Sequence, residues 1–474
     1  MTDHGFDPAA VIGEDGTEIS WRRPVTRALH RLHAAVRGED RGEVAGYIPE
    51  LARADPAHFG IALASVTGAV YHAGDALVPF TIQSVSKPFV YALALQDLGL
   101  EQVLARVGVE PTGEAFNDVR LEPGTGRPLN PMVNAGAILT TSLVAAETTS
   151  QRHERIRAAL SAFAGRELVR HESTYESELA TGDRNRALAY LMHNAGALTA
   201  DVTETLDCYV AQCSLLVTTV DLAVMAATLA NGGVNPVTGV RAVDEESAGH
   251  VLTVMATCGM YTYAGEWLLR AGLPAKSGVA GGLLAASPAQ FGVGAYSPRL
   301  DAQGNSVRAV LAVQRLSSQL GLDLMRHPGL TAPVVTHDAM AAGGSVAVIG
   351  LQGDLDFAAI EAALGVLAAV GGPDRPGVRA LALDLSAVTR LHPVAKAALG
   401  VVLSGLRSED IQVVVADDRG RGLLGSGVRE TPSLAEAISA GATLRGSEPL
   451  AAKPQRVADH RDGREGHRRR SDDR

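Results

Sequence analysis

Lysine is nearly missing from this chain. Of its 42 basic residues only Lys87, Lys276, Lys396 and Lys453 are lysines, and Arg fills the other cationic positions. Arg keeps its proton near neutral pH, whereas a buried Lys can give one up. A lysine kept in such a background is therefore a candidate for work that needs a titratable amine, although chance retention accounts well enough for Lys453 in its charged tail. Cysteine is equally sparse. Cys208, Cys213 and Cys258 are an odd set of three, which argues against a disulfide framework and for a reducing compartment. No uncharged apolar run reaches membrane-spanning length, so no span is expected. The opening MTDHGFDPAAVIGEDG is acidic and turn-rich rather than an Arg-plus-apolar leader, and a cytoplasmic location is the expectation. A formal charge of −10 argues against general nucleic-acid binding.

What is present is globular material. With 474 residues, 46% hydrophobic and 20% charged, the chain has enough for two domains plus tails. Residues 1–24 are an N-terminal extension. RRPVTRALHRLHAAVRGEDRGEV then reads as an amphipathic basic helix; His30 and His33 share a metal-compatible spacing, but with no third ligand nearby a solvent-facing helix surface is the simpler reading. GIALASVTGAVYHAGDALVPFTIQS reads as a hairpin turning at Thr67-Gly68, followed by a third short strand in VPFTIQ. Ala/Leu-rich helices follow to about residue 265, and strand-like runs return in LLAASPAQFGVGAYS and SVRAVLAVQRLS. Strands from both ends with helices between them indicate an α+β domain over residues 25–328 built on an antiparallel sheet. Residues 329–343, rich in Pro, Gly and Thr, read as a linker. Strands then alternate with helices over 344–445, a small α/β domain. Residues 446–474 hold almost no apolar material and read as a disordered charged tail, in which the RRR run is more simply solvated than bound to RNA or membrane.

The chemistry gathers around two of the four lysines. Ser84-Val85-Ser86-Lys87 fits Ser-x-x-Lys between a short strand and the apolar run FVYALALQDLGL. Ser84 would open the helix with Lys87 one turn on, and Pro88 suits that first turn. The positive helix end favours a developing oxyanion and disfavours a protonated amine, so a neutral Lys87 could serve as base for the Ser84 hydroxyl. Lys276-Ser277-Gly278 matches the Lys-Thr/Ser-Gly element that accompanies Ser-x-x-Lys in penicillin-recognising serine hydrolases. Two chosen basic positions would both be lysine roughly one time in 140 by chance, given motifs fixed beforehand. The third element of that set, Ser-Asp-Asn or Tyr-x-Asn, is absent, which argues against a β-lactamase or transpeptidase. Tyr47, Tyr209, Tyr261 and Tyr263 are candidates for a replacement proton relay.

Residues from about 25 to 325 resemble the serine-dependent glutaminases, which are related to the β-lactamase and penicillin-binding fold. AGYIPELARADPAHFGIAL, PFTIQSVSKPF, GRPLNPMVNAGAI, SELATGDRNRALAYLM, YVAQCSLLVTTVDLAVMAATLANGGVNPVTG, TCGMYTYAGEW and GLPAKSGVAGG carry the resemblance, in order. It implies hydrolysis of L-glutamine to L-glutamate and ammonia with no metal or organic cofactor. It makes Ser84 the nucleophile, Lys87 its base and Tyr261 part of the proton relay, with the N–H groups of Ser84 and Val279 as oxyanion donors. Asn134, Glu178, Asn185 and Tyr209 would hold the amino-acid end, with Tyr47 and Gln83 lining the same pocket. The chemistry is reasonable: an ammonium needs an anion such as Glu178, and a carboxylate needs donors such as Asn and Tyr. Without the resemblance, Glu178 and Asn185 read as a solvated helix start and Asn134 as a helix N-cap. The resemblance also implies a homo-oligomer, dimer or tetramer, with phosphate activation in some members.

Residues 344–445 resemble the sulfate-transporter and anti-sigma-factor antagonist (STAS) domain, through GLQGDLDFAAIEA and LALDLSAVTRLHPVAKAAL. Bacterial antagonists begin the helix after the Asp-Leu-Ser strand with Asp-Ser-Ser-Gly and are phosphorylated on a serine there. This chain has His392-Pro393-Val394-Ala395, and Pro393, at the phosphoserine position, has no hydroxyl. His392 is an alternative acceptor, a loop histidine the plainer one. Docking, assembly or regulation through an unidentified protein partner is the expected role. Two other readings stand beside glutaminase: an amidase of the same fold acting on another amide such as asparagine, and a STAS-based regulator with a vestigial hydrolase domain.

Overall fold

The computed structural model describes residues 23–46, 48–112, 120–325, 333–355, 357–424 and 428–443, with Gly13, Gly16 and Ile19. The chain divides into two units, Met1–His327 and Pro328–Arg474. The N-terminal extension falls almost wholly, and the charged tail wholly, outside the described residues.

In the first unit, helix α1 (Pro24–Val36) starts with Pro at its first turn, where the missing N–H costs nothing. Strands β1 (Gly60–Ser65) and β2 (Val70–Gly74) form the expected antiparallel hairpin. His33 does not face solvent as its spacing suggested: its ring stacks on Phe59 at 4.8 Å and its Nε2 lies 3.0 Å from the Phe59 carbonyl. A half-buried ring with a main-chain partner satisfies the histidine without a metal.

Helices then intervene, among them α2 (Lys87–Leu98), α3 (Asn134–Leu143), α4 (Glu172–Thr181), α5 (Asp183–Asn194), α6 (Val202–Cys213) and α7 (Thr219–Ala230). The sheet resumes with β3 (Ala275–Ser277), β4 (Gly282–Ser287) and β5 (Phe291–Tyr296), giving the antiparallel order β2-β1-β5-β4-β3. SVRAVLAVQRLS, expected to continue the strands, is instead helix α8 (Val307–Leu320). Ser306 caps it by accepting from Ala309 N, and Ala309, Ala312, Val313 and Leu316 form its buried stripe. Short valine-rich runs do not separate strand from helix by periodicity, and the cap decided it.

Strand alternation explains how both faces of β1 are buried. Ile61 and Leu63 point to the core shared with α1 and α8. Ala62 and Ala64 meet Ala223 and Ala227 of α7 on the other face. Small residues there let α7 lie directly on the sheet. A Cβ added at Gly292 would stand 2.1 Å from Ala227 N, and one at Gly294 would stand 2.2 Å from Thr219 O.

In the second unit, β6 (Val335–Ala341), β7 (Val346–Leu355), β8 (Ala380–Leu391), β9 (Gln412–Ala416) and β10 (Arg429–Thr431) pair in chain order. β6 is antiparallel and the others parallel. Helices α9 (Phe357–Ala368) and α10 (Pro393–Ser408) cover the face carrying Ile349, Leu351, Leu381 and Leu383; α11 (Leu434–Thr443) covers Val346, Val348, Ala380 and Ala382. The linker expected at 329–343 is corrected in part: Val335–Ala341 is an edge strand of this sheet. Its residues are mostly exposed or half-buried, so it lacks the apolar run that marks a central strand.

Replacing Gly294 by Ala is expected to destabilise the first unit by about 1–3 kcal/mol, because α7 must lift from β5 to admit a methyl group. Urea unfolding measures it, and an unchanged midpoint would contradict the close contact.

Candidate active site

The Ser-x-x-Lys segment is placed by a sharp change of backbone direction. Phe80–Thr81, a shorter strand than VPFTIQ suggests, pairs with Leu216–Val217 and leads into a 3-10 turn over Gln83–Ser86 that runs straight into α2. Gln83 has φ +49°, in the left-handed region that residues with side chains avoid. Ser84 lies inside this turn, and Lys87 is the first residue of α2. Every residue from Lys87 to Leu95 is buried, so this helix is interior.

Lys87 Nζ donates to Asn134 Oδ1 at 2.6 Å and to the Met132 carbonyl at 3.3 Å. Asn134 is the first residue of α3 and its cap position is Val133, so its side chain serves the site rather than capping the helix. Asn134 Nδ2 in turn donates to Asn185 Oδ1 at 3.0 Å. Gln83 Nε2 reaches Glu178 Oε2 at 3.3 Å. Glu178 ends the buried side of α4, and Asn185 opens α5 after the turn at Gly182.

The second lysine motif arrives from the sheet. Gly259, just past the helix Glu245–Cys258, sits so close to β3 that a Cβ there would stand 1.8 Å from the Ala275 carbonyl. Tyr261, at φ +54°, follows in a 3-10 turn. Lys276 Nζ lies 3.9 Å above the Tyr261 ring and donates to the Ser277 carbonyl at 2.6 Å, while Lys87 Nζ lies 6.0 Å from the same ring. Gly278 completes the approach: a Cβ there would be 3.2 Å from the Ile82 carbonyl, beside the Ser84 turn.

Burial governs the charges. It lowers Lys87 to about 8, against the opposing pull of Glu178. It holds Lys276 well below the ordinary lysine value, with the Lys87 amine adding to the effect. Burial raises Glu178 to about 7, opposed by the Gln83 hydrogen bond and Lys87. Burial also pushes the Tyr261 hydroxyl up, and the neighbouring Ser84 side chain pulls the other way.

Gln83, Ser84, Asn134, Glu178, Asn185, Tyr209 and Val279 line one cavity of about 220 Å³. Lys87 and Tyr261 adjoin it through Asn134 and Ser84. Tyr47 lies outside the described residues. Ile48, Thr181, Gly182 and Arg184 also line the cavity and carried no signal of their own, although three of them fall between Glu178 and Asn185, where the α4–α5 turn must pass. Lys276 stood out by its rarity but had no assigned role. Among the described residues, no group of three His, Cys, Asp or Glu side chains could hold a metal ion.

The glutaminase family model matches residues 42–325. The chain belongs to the glutaminase family. Glutaminase 2 of Bradyrhizobium diazoefficiens is 53% identical over 304 residues, 64% of this chain and 49% of that protein. The chain thus spans about half the length of that relative. Glutaminase of Corynebacterium glutamicum is 43% identical over 396 residues, covering 83% of this chain and 94% of its own, a match too long for the first unit alone. A crystal structure of Mglu superposes with a TM-score of 0.77 at 43% identity, covering 83% of this chain and 98% of that one. Among the described residues, no helix is long and apolar enough to cross a membrane.

The buried Glu178 gives a direct test of these charges. With its carboxyl raised in the folded state, ionising it opposes folding, so stability falls as pH rises from about 4.5 towards 7. Glu178→Gln keeps an acceptor for Gln83 and is expected to raise the melting temperature at pH 8, the gain fading by pH 4. A lower melting temperature at pH 8 would contradict the assignment.

Proposed function

We propose that this chain hydrolyses L-glutamine to L-glutamate and ammonia through an acyl-enzyme on Ser84. The observation that carries the reading is the meeting, in the lining of one amino-acid-sized cavity, of Ser84 with Glu178, Asn134, Asn185 and Tyr209. Glu178 receives the ammonium of glutamine, and the amide and phenol donors receive its carboxylate. The side-chain amide is thereby laid against Ser84.

Lys87, neutral, takes the Ser84 proton as Oγ attacks the amide carbon. Its present acceptors, Asn134 and Met132, hold the amine within the site, and substrate entry brings it onto the hydroxyl. The main-chain N–H groups of Ser84 and Val279 stabilise the oxyanion. Collapse breaks the C–N bond, and a proton passed through Tyr261 leaves with nitrogen as ammonia. Water then attacks the ester, giving its proton back through the same groups, and Ser84 is released with L-glutamate. Lys276 keeps Tyr261 in place by packing on its ring, and its burial disfavours a competing cation there.

For residues 344–445 we propose a STAS-like docking or assembly domain. The parallel strands with α10 following β8 support this reading, and the first turn of α10 carries Pro393 where a phosphorylated serine would be needed. His392, the alternative acceptor, pairs its Nε2 with Asp354 Oδ1 at 2.8 Å. A cytoplasmic homo-oligomer completes the proposal.

Ammonia release from L-glutamine, with L-asparagine in parallel, tests the activity. Ser84→Ala is expected to lower kcat at least about 10³-fold; retained turnover would exclude the serine route. Because the base must be neutral, kcat/KM should rise with pH through about 8 in the wild-type protein. A profile that falls across this range would contradict the role given to Lys87.

A further inference from the structure

A buried polar chain runs behind the Ser84 turn, and none of its outer members touches the cavity. Ser86 is fully buried, and its Oγ donates to the Gln83 carbonyl at 2.7 Å. Gln212 Nε2 approaches the same Oγ at 3.5 Å, and Thr141 Oγ1 lies 3.0 Å from Gln212 Oε1. All three side chains are buried. At its other end, the chain reaches the cavity through Gln83 Nε2 and Glu178 Oε2, 3.3 Å apart.

We propose that Ser86 is a positioning residue for the ammonium subsite, holding the left-handed Gln83 peptide so that the Gln83 amide fixes the Glu178 carboxylate. This rests on Glu178 receiving the glutamine ammonium. A serine hydroxyl bonded to the carbonyl three residues earlier is common within helices and there has only local consequence. Here the accepting residue lacks helical backbone angles. Gln83 stands at φ +49°, a conformation that a side chain normally abandons unless its surroundings hold it. The Ser86 hydroxyl is directed at the carbonyl of that residue, and the side chain of that residue reaches into the substrate cavity.

Without the hydroxyl, Gln83 can rotate towards the right-handed region, and its amide leaves Glu178. The carboxylate then loses its orientation, which matters only to a substrate carrying an α-ammonium. Ser86 therefore acts on recognition of one end of the substrate, whereas Ser84 acts on the other.

The test compares L-glutamine with glutaramate, the same amide acid without the α-amino group. The wild-type protein should prefer glutamine, and Ser86→Ala should lower that preference about tenfold, chiefly by raising KM for glutamine. Ser86→Thr, which keeps a hydroxyl, should restore it. Gln212→Met, which removes only the backing amide, should shift the preference in the same direction by less, and it covers the case in which Ser86→Ala does not fold. Equal losses on both substrates in Ser86→Ala or Gln212→Met would show mere structural damage and overturn the proposal. A wild-type protein that hydrolyses both substrates equally well would overturn the Glu178 reading first, and the role of Ser86 with it.

Discussion

Desolvation of two lysine amines around one tyrosine ring is the constraint from which the rest of this site follows. Lys87 and Lys276 are among the largest side chains wholly removed from solvent, and the acceptors they meet are amide and peptide oxygens rather than carboxylates. A buried ammonium without a counter-ion is costly, so the charged form of each amine is disfavoured. That outcome is unfavourable for folding and favourable for proton transfer. The same holds for Glu178, whose burial disfavours its charge.

Such a cluster needs a rigid frame. The segments bearing Ser84, Asn134, Glu178, Tyr209, Tyr261 and Lys276 are far apart in the chain, and they converge because backbones pass at contact distance. Gly259 against Ala275 brings the Tyr261 turn to β3, and Gly278 against Ile82 brings β3 to the Ser84 turn. Behind them α7 lies on the sheet along an alanine and glycine seam. A side chain at Gly259 would stand 1.8 Å from the Ala275 carbonyl and force the Tyr261 turn and β3 apart.

The parts of this arrangement legible in the sequence were those with a local or compositional signature. Lysine rarity singled out Lys87 and Lys276, and Ser-x-x-Lys beside an apolar run located the turn. The alternation of strands and helices beyond residue 344 survives in the fold almost element for element. What escaped was decided by tertiary contact or by a single cap. Residues 307–320 carry valines that suit a strand, yet Ser306 starts a helix there. The edge strand Val335–Ala341 has too little apolar alternation to stand out from a linker. Ser86, Gln212 and Thr141 lie far apart along the chain, and their common task exists only once α3 and α6 pack around the Ser84 turn. Tyr261 could be singled out from the other candidate tyrosines only through the block resemblance, because no spacing relates it to Ser84.

The scarcity of lysine also makes the central claim measurable. Isotope-labelled lysine places just four side-chain amines in an NMR spectrum of the full chain, and Lys87→Met and Lys276→Met assign the two that matter. The account requires one amine to titrate near pH 8, lost in Lys87→Met, and a second to titrate well below the ordinary lysine value, lost in Lys276→Met. Four amines titrating together at the ordinary lysine value would contradict it.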